Sequence, residues 1–147
     1  MNSISGKLSE IVTHSPEETA LLGFEFARKI STGDIVGLAG ELGTGKTQFV
    51  KGICEFFGVD DKVTSPTFNL VNQYRGRDVK INHFDLYRMK NISEFKEIGF
   101  DHYNTDDSIC LIEWPETAER YLNYDILKVT FDHGKNNSER IISYPDF

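Results

Sequence analysis

Cysteine is scarce: only Cys54 and Cys110 occur in 147 residues, each inside an apolar stretch. Two isolated thiols make no disulfide framework, so the expected setting is a reduced cytosol. No apolar run approaches the ~20 residues that a membrane-spanning helix needs. The stretch from Met1 to Ile11 carries Lys7 and Glu10 but no apolar signal core, so neither export nor membrane contact is expected. Repeats, low-complexity tracts and Gly/Ser/Pro-rich linkers are also missing, which predicts one domain over residues 1–147. Basic residues are in deficit, 16 against 23 acids for a net charge of −7 and a pI near 5.1. That excludes a protein that holds nucleic acid by bulk charge alone.

What is present is an ordinary globular composition, 39% hydrophobic and 27% charged. The acidity is local. Residues 91–125 hold nine acids and two bases, whereas residues 71–90 hold five bases and two acids. The plain reading of both stretches is a solvated face; the sharper one is that they meet different surfaces of a partner, or that the basic one meets RNA.

Ser15-Pro16-Glu17-Glu18 reads as a helix start: a capping serine, a proline suited to the first turn, and a capping-box glutamate. Apolar residues then recur at near-helical spacing as far as Ile30, with Gly33 beyond the end. Asp34 to Ala39 is a buried-strand pattern, and a second helix is expected from near Lys46 to Gly58. Asn69–Tyr74 and Val79–Phe84 predict an antiparallel hairpin turning at Gly76. Asn91–Ile98 reads as a helix, Ser108–Glu113 as a buried strand and Pro115–Leu122 as a helix. Ile126–Phe131 and Arg140–Tyr144 read as strands around His133-Gly134. Strand–helix alternation followed by hairpins predicts an α/β protein with a mixed parallel and antiparallel sheet.

Gly40-Glu41-Leu42-Gly43-Thr44-Gly45-Lys46-Thr47 matches G-x-x-x-x-G-K-[ST], with a strand before it and a helix after it. Glycines let consecutive amide N–H groups point into one concavity, and the next helix adds its positive end. Together these suit a nucleotide triphosphate. Lys46 can reach the outer phosphates, and the Thr47 hydroxyl can ligate Mg²⁺. Residues 41–48, ending at Gln48, are therefore the expected phosphate-binding segment. No N-K-x-D stretch occurs, so the usual guanine-reading element is missing and adenine is expected.

A Mg²⁺ beside phosphates commonly takes a carboxylate from the end of a neighbouring buried strand. Glu113 closes the run Ile109-Cys110-Leu111-Ile112 in that manner, although an ordinary strand-end acid looks the same. Asp85, in His83-Phe84-Asp85-Leu86-Tyr87-Arg88, can hold a metal-bound water, act as a base, or simply cap a turn. His83 alone reads as a hydrogen-bonded strand histidine, and Arg88 can serve the γ-phosphate or pair with a surface acid. Thr64-Ser65-Pro66-Thr67 places three hydroxyls after the loop helix, where they can sense a γ-phosphate or merely connect elements. Trp114, the one tryptophan, belongs either to the core or over the nucleotide or a partner face.

The combination of Ser65-Pro66-Thr67-Phe68, His83-x-Asp85-x-Tyr87-Arg88 and Glu113-Trp114-Pro115 around the glycine loop resembles the TsaE (YjeE) family. The resemblance runs over nearly the whole chain. Glu41 and Thr44 stand where that family often has Asp and Ala, positions at which the backbone does the cradling. What the resemblance implies is a P-loop NTPase-like three-layer fold that binds ATP or ADP with Mg²⁺ and hydrolyses ATP slowly. It implies an accessory role in forming tRNA threonylcarbamoyladenosine, resetting a TsaB–TsaD pair between turnovers; the acidic 91–125 stretch predicts that tRNA is met indirectly or only through the basic hairpin of Arg75, Arg77 and Lys80. The resemblance further implies Lys46, Asp85 and Glu113 as catalytic residues, Thr47, Glu113 and Asp85 on the metal side, and Thr67 in a switch-like loop. Trp114 would then lie near the nucleotide, and Thr19 and Arg140 around it. Two rival readings remain. A small P-loop kinase is disfavoured because only six arginines occur and none form a cationic lid. A nucleotide-gated switch without catalysis would keep its output when Asp85 or Glu113 is replaced.

Overall fold

A computed structural model describes residues 7–66, 70–122 and 124–146. Its centre is one seven-stranded sheet in the order β1-β7-β6-β2-β5-β4-β3. In chain order the strands are β1 (Leu8–Thr13), β2 (Ile35–Gly40), β3 (Val71–Arg75), β4 (Lys80–Asp85), β5 (Ser108–Glu113), β6 (Leu127–His133) and β7 (Arg140–Pro145). The inner strands β6, β2, β5 and β4 run parallel, while β3 against β4, β6 against β7 and β1 against β7 are antiparallel. The mixed sheet expected from the sequence is therefore present. The helices are α1 (Pro16–Ala27), α2 (Lys46–Phe56), α3 (Ile92–Ile98), α4 (Phe100–Tyr103) and α5 (Glu116–Glu119).

Period-two alternation on the central strands sends successive residues to opposite faces and produces two cores. Val36, Leu38, Ile81, Ile109, Leu111 and Phe131 join one cluster with Phe26, Phe49 and Ile53 of α1 and α2. Ile35, Phe84, Cys110 and Ile112 join the other with Phe95, Phe100 and Ala118 of α3, α4 and α5. Helices on both faces make three layers.

The two longest helices touch backbone to backbone. A Cβ at Gly52 would lie 1.8 Å from the Ala20 carbonyl oxygen, and one at Gly23 only 2.1 Å from that of Phe49. No larger residue fits either place, so this contact sets how α1 sits beside the start of α2. The α1 start is the expected one: the Ser15 hydroxyl accepts from the Glu18 N–H at 3.0 Å, and the His14 N–H donates to the Glu18 carboxylate at 2.9 Å.

Several boundaries differ from expectation. The apolar spacing through Ile30 outlasts α1, which ends at Ala27 and continues as hydrogen-bonded turns at Lys29 and Ile30. Pro115–Leu122 contains only the single turn Glu116–Glu119, because four residues suffice to place Ala118 in the core. The hairpin turns at Gly76 as expected, its N–H donating to Val79 at 2.8 Å, while β3 begins at Val71 and Asn69 lies outside the described residues. Strand β1 has no counterpart in the sequence reading. It is an edge strand with Leu8 and Val12 exposed, so its apolar positions do not mark a buried face. Among the described residues, no helix is long and apolar enough to cross a membrane.

Candidate functional site

The glycine loop joins β2 to α2 at the carboxyl end of the parallel strands, the usual ligand position in such sheets. Gly43 and Gly45 adopt φ of 77° and 98°, a region costly for any residue with a Cβ. Gly45 also caps α2, and a Cβ there would approach the Thr19 methyl at 3.2 Å. The close seam between α1 and α2 thus brings Thr19 against the loop. Thr19 is itself buried and shares a 2.7 Å hydrogen bond with the hydroxyl of Thr13.

Beside the loop lies a cleft of about 460 Å³. Lys46, Thr47 and Gln48 enter it from α2, Leu42, Gly43 and Gly45 from the loop, and Asp85, Glu113 and Trp114 from the strand ends. Thr19 and Arg140 complete two of its walls. Two expected residues stand apart. Glu41 is exposed, and the Thr44 hydroxyl turns inward to donate to the Glu41 carbonyl at 2.6 Å. Their contribution is to loop shape, not to the lining. Thr67 lies outside the described residues.

Lys46 is buried, and its ammonium donates to the carbonyls of Gly40 and Glu41. It also lies 3.7 Å from the centre of the Trp114 ring, a close cation–π contact. Burial lowers the Lys46 pKa, and the nearby carboxylates of Glu113, Asp85 and Glu116 oppose that shift. Trp114 adopts φ of 59°, uncommon for a bulky side chain, with its N–H donating to Leu38 at 3.2 Å and its ring 4.8 Å from that of Tyr87. Of the places open to it in the sequence, the core holds in part, since Trp114 packs partly buried against the Phe84–Phe95–Phe100 cluster while also lining the cleft beside Lys46.

The two carboxylates arise from strand register. Asp85 of β4 stands beside Glu113 of β5, and alternation turns both toward the α2 face with Ile81 and Leu111. The Asp85 carboxylate accepts from the Tyr87 N–H at 3.0 Å, so it does cap a turn as well as line the cleft. Burial raises its pKa, and the Tyr87 hydrogen bond works against that rise. Glu113 is buried and hydrogen-bonded to His83 at 2.6 Å. His83 is thus a hydrogen-bonded strand histidine, as read.

Arg140 crosses from β7 to donate to the Gly43 carbonyl at 3.2 Å, and it also holds the carbonyls of Asn137 and Glu139. Sequence reasoning missed four residues of the lining, Ser15, Pro16, Asn137 and Ser138, and offered Ser65 only within the hydroxyl-rich loop. Ser65 had a usable signal there, and it shares a 2.7 Å hydrogen bond with the hydroxyl of Thr47. Asn137 and Ser138 had none beyond proximity to Arg140 in the chain. Of the basic hairpin, Arg77 donates to the Phe56 carbonyl at 2.9 Å and Lys80 pairs with Asp107 at 3.4 Å. Those two cations serve the fold.

The residues present fit a magnesium–nucleotide complex. The loop glycines clear space for phosphate, and Thr47, Asp85 and Glu113 supply hard oxygen donors. No cluster of three or more His, Cys, Asp or Glu able to hold a metal occurs among the described residues. A cation held here would complete its six oxygens from phosphate and water, the ordinary manner for Mg²⁺.

A glycine loop between β2 and α2, faced by carboxylates from two neighbouring parallel strands, defines a P-loop NTPase-like α/β fold. The TsaE family model, described as "Threonylcarbamoyl adenosine biosynthesis protein TsaE", matches residues 13–142, and the chain belongs to that family. The protein named "tRNA threonylcarbamoyladenosine biosynthesis protein TsaE" of Bacillus subtilis is 34% identical over 129 residues, 88% of this chain and 80% of its own. Its namesake in Rickettsia conorii is 38% identical over 125 residues, 84% of this chain and 71% of its own. The crystal structure of YdiB from Bacillus subtilis superposes with a TM-score of 0.73 at 28% identity, covering 99% of this chain and 88% of that one.

Proposed function

We propose that this chain is a Mg²⁺-dependent ATP-binding and ATP-hydrolysing subunit that serves tRNA threonylcarbamoyladenosine formation, acting as one domain in the cytoplasm. Its partners are TsaB and TsaD, and its hydrolysis resets that pair between turnovers. The observation that carries the reading is convergence: Lys46, Thr47, Asp85 and Glu113, from three separate elements, line one cleft at the α2 N-terminus.

When bound, Mg²⁺–ATP supplies the phosphoanhydride bond that water cleaves. The loop amides and the α2 N-terminus receive the phosphates. Lys46 leaves the Gly40 and Glu41 carbonyls and sets its charge against the charge developing on the outer phosphate. Keeping that lysine charged in a buried place is the work of Glu113 and Asp85, whose fields oppose its desolvation. Thr47 and Glu113, which both line the cleft, would hold the metal through their side-chain oxygens. Asp85, beside Glu113 at the strand ends and lining the cleft, suits a water-orienting base. Contact with tRNA is indirect, consistent with an acidic 91–125 face and with Arg77 and Lys80 engaged in the fold.

The test is ATP hydrolysis by the purified chain with Mg²⁺, alone and with TsaB–TsaD, using Lys46→Ala as control. Slow turnover alone and strong stimulation by the pair, both lost in the variant, are expected. Turnover indifferent to the pair would overturn the assignment of partners, and equal turnover by Lys46→Ala would overturn the assignment of the site.

A further inference from the structure

Strand geometry explains why a histidine stands two residues before Asp85. Residues two apart on a strand share a face, so Ile81, His83 and Asp85 all point toward α2. On β5 the same holds for Ile109, Leu111 and Glu113. Register pairs Asp85 with Glu113 and His83 with Leu111. His83 is therefore the diagonal neighbour of Glu113, within reach of a long side chain. The two side chains meet at 2.6 Å, the imidazole fully buried and the carboxylate nearly so.

A carboxylate removed from water needs hydrogen-bond donors. Glu113 obtains one from His83 Nε2, which engages Oε2, while the residue still lines the cleft. Among the described residues, His83 Nδ1 is the one buried side-chain nitrogen or oxygen without a partner. An imidazole with its proton on Nε2 satisfies Glu113 and leaves at Nδ1 only a lone pair. A proton on Nδ1 would strand a buried N–H, which folded proteins rarely tolerate. With the proton on Nε2 the bond runs from His83 to Glu113.

We propose that His83 is the positioning residue of Glu113: its Nε2–H fixes the carboxylate so that one oxygen is spent on the imidazole and the other is presented to the magnesium side of the cleft. This rests on reading the cleft as a magnesium–nucleotide site. Asp85 differs in kind. It takes its hydrogen bond from the backbone of Tyr87, two residues on, so its carboxylate moves with the local chain and not with a neighbouring side chain. His83 therefore acts on the metal-dependent part of nucleotide binding, while the backbone of residues 40–47 and the Lys46 side chain grip the phosphates.

Two measurements test this. Long-range ¹H–¹⁵N correlation on the wild-type protein reads the His83 tautomer directly. A proton on Nε2 whose signal moves in Glu113→Gln is expected, and a proton on Nδ1 alone would overturn the proposal. The second measures ADP affinity with and without Mg²⁺ in wild type, His83→Leu and His83→Gln. Leucine fills the site without a donor; glutamine can place an amide N–H near the position of Nε2. His83→Leu should keep its Mg²⁺-free ADP affinity and lose about tenfold or more of the tightening that Mg²⁺ confers, and His83→Gln should restore most of it. Equal Mg²⁺ tightening in His83→Leu and wild type overturns the positioning role alone. Absence of tightening in the wild type overturns the magnesium–nucleotide reading and this role together. If His83→Leu does not fold, the tautomer and the glutamine variant decide.

Discussion

On one face of the sheet, helices of 12 and 11 residues meet backbone to backbone at Gly23 and Gly52, and the site residues Lys46, His83, Asp85 and Glu113 lie on that side. On the other face, helices of 7, 4 and 4 residues cover an aromatic cluster of Phe84, Phe95 and Phe100. Ring centres there lie 5.3 Å and 5.7 Å apart, and among the described glycines none on that face meets a backbone as Gly52 does. The difference teaches where geometric precision is needed. A phosphate loop works only if its backbone is held, and two glycines let a neighbouring helix approach closely enough to hold it. The far face has only to cover apolar surface, which side chains of adjustable shape do adequately.

The largest expected effect falls on the tight face. Gly52→Ala places a methyl group on the Ala20 carbonyl, a backbone atom that cannot turn aside. A loss of about 3 kcal/mol is expected in urea unfolding, and nucleotide affinity should fall as Thr19 is pushed from the loop. A substitution tolerated with unchanged affinity would break the contrast between the faces. On the opposite side Phe100→Leu should cost only about 1 kcal/mol and leave nucleotide affinity where it was.

These glycines also show what was legible in the sequence and what was not. The glycine loop, its flanking strand and helix, and the strand-end acids were all readable, because each is a local pattern with a local cause. Asp85 illustrates the limit: its two readings, turn cap and cleft carboxylate, are both true, and only strand register shows that they coexist. Gly23 and Gly52 look like weak points in helices until the partner backbone is seen. Ser65, Asn137 and Ser138 reach the cleft through chain reversals that no periodicity encodes. Strand β1 escaped notice because an exposed edge strand need not alternate in hydrophobicity.

Helix caps sharpen the comparison. Ser15 caps α1 at 3.0 Å and Asn91 caps α3 at 3.3 Å. Replacing either by Ala should cost about 1 kcal/mol, a similar loss on both faces. Nucleotide affinity should change only for Ser15→Ala, since Ser15 also lines the cleft. Affinity measured by Trp114 fluorescence separates the two, and a matching loss in Asn91→Ala would mean that the faces are coupled.

The smallest perturbation alters no residue at all. Each face holds one buried thiol, Cys54 on α2 in the cluster with Phe49 and Ile53, and Cys110 on β5 in the cluster covered by α3 and α4. Burial pushes Cys54 up to about 12 and Cys110 to about 11, both from 9.0, so neither offers thiolate near neutral pH. The sign is the same for both: the folded chain keeps its thiol protons while the unfolded chain loses them above pH 9.0, so stability declines as pH rises from there toward 11 and 12. At pH 8 a small alkylating reagent must wait for an opening. Cys110 is covered by short helices, its thiol donating to the Tyr103 carbonyl at 3.8 Å and accepting from the Asn82 amide at 3.9 Å, so partial lifting of that cover exposes it. Cys54 needs α2 to leave the core it packs into, which takes most of the global unfolding free energy. Native-state labelling should modify Cys110 about tenfold faster than Cys54, read by mass spectrometry of the digested protein. Addition of Mg²⁺–ATP should slow Cys54 further and leave Cys110 nearly unchanged, because a ligand protects only those openings that break its site. Equal rates at both thiols would show instead that the sheet opens as one unit, and the two faces would differ in packing but not in stability.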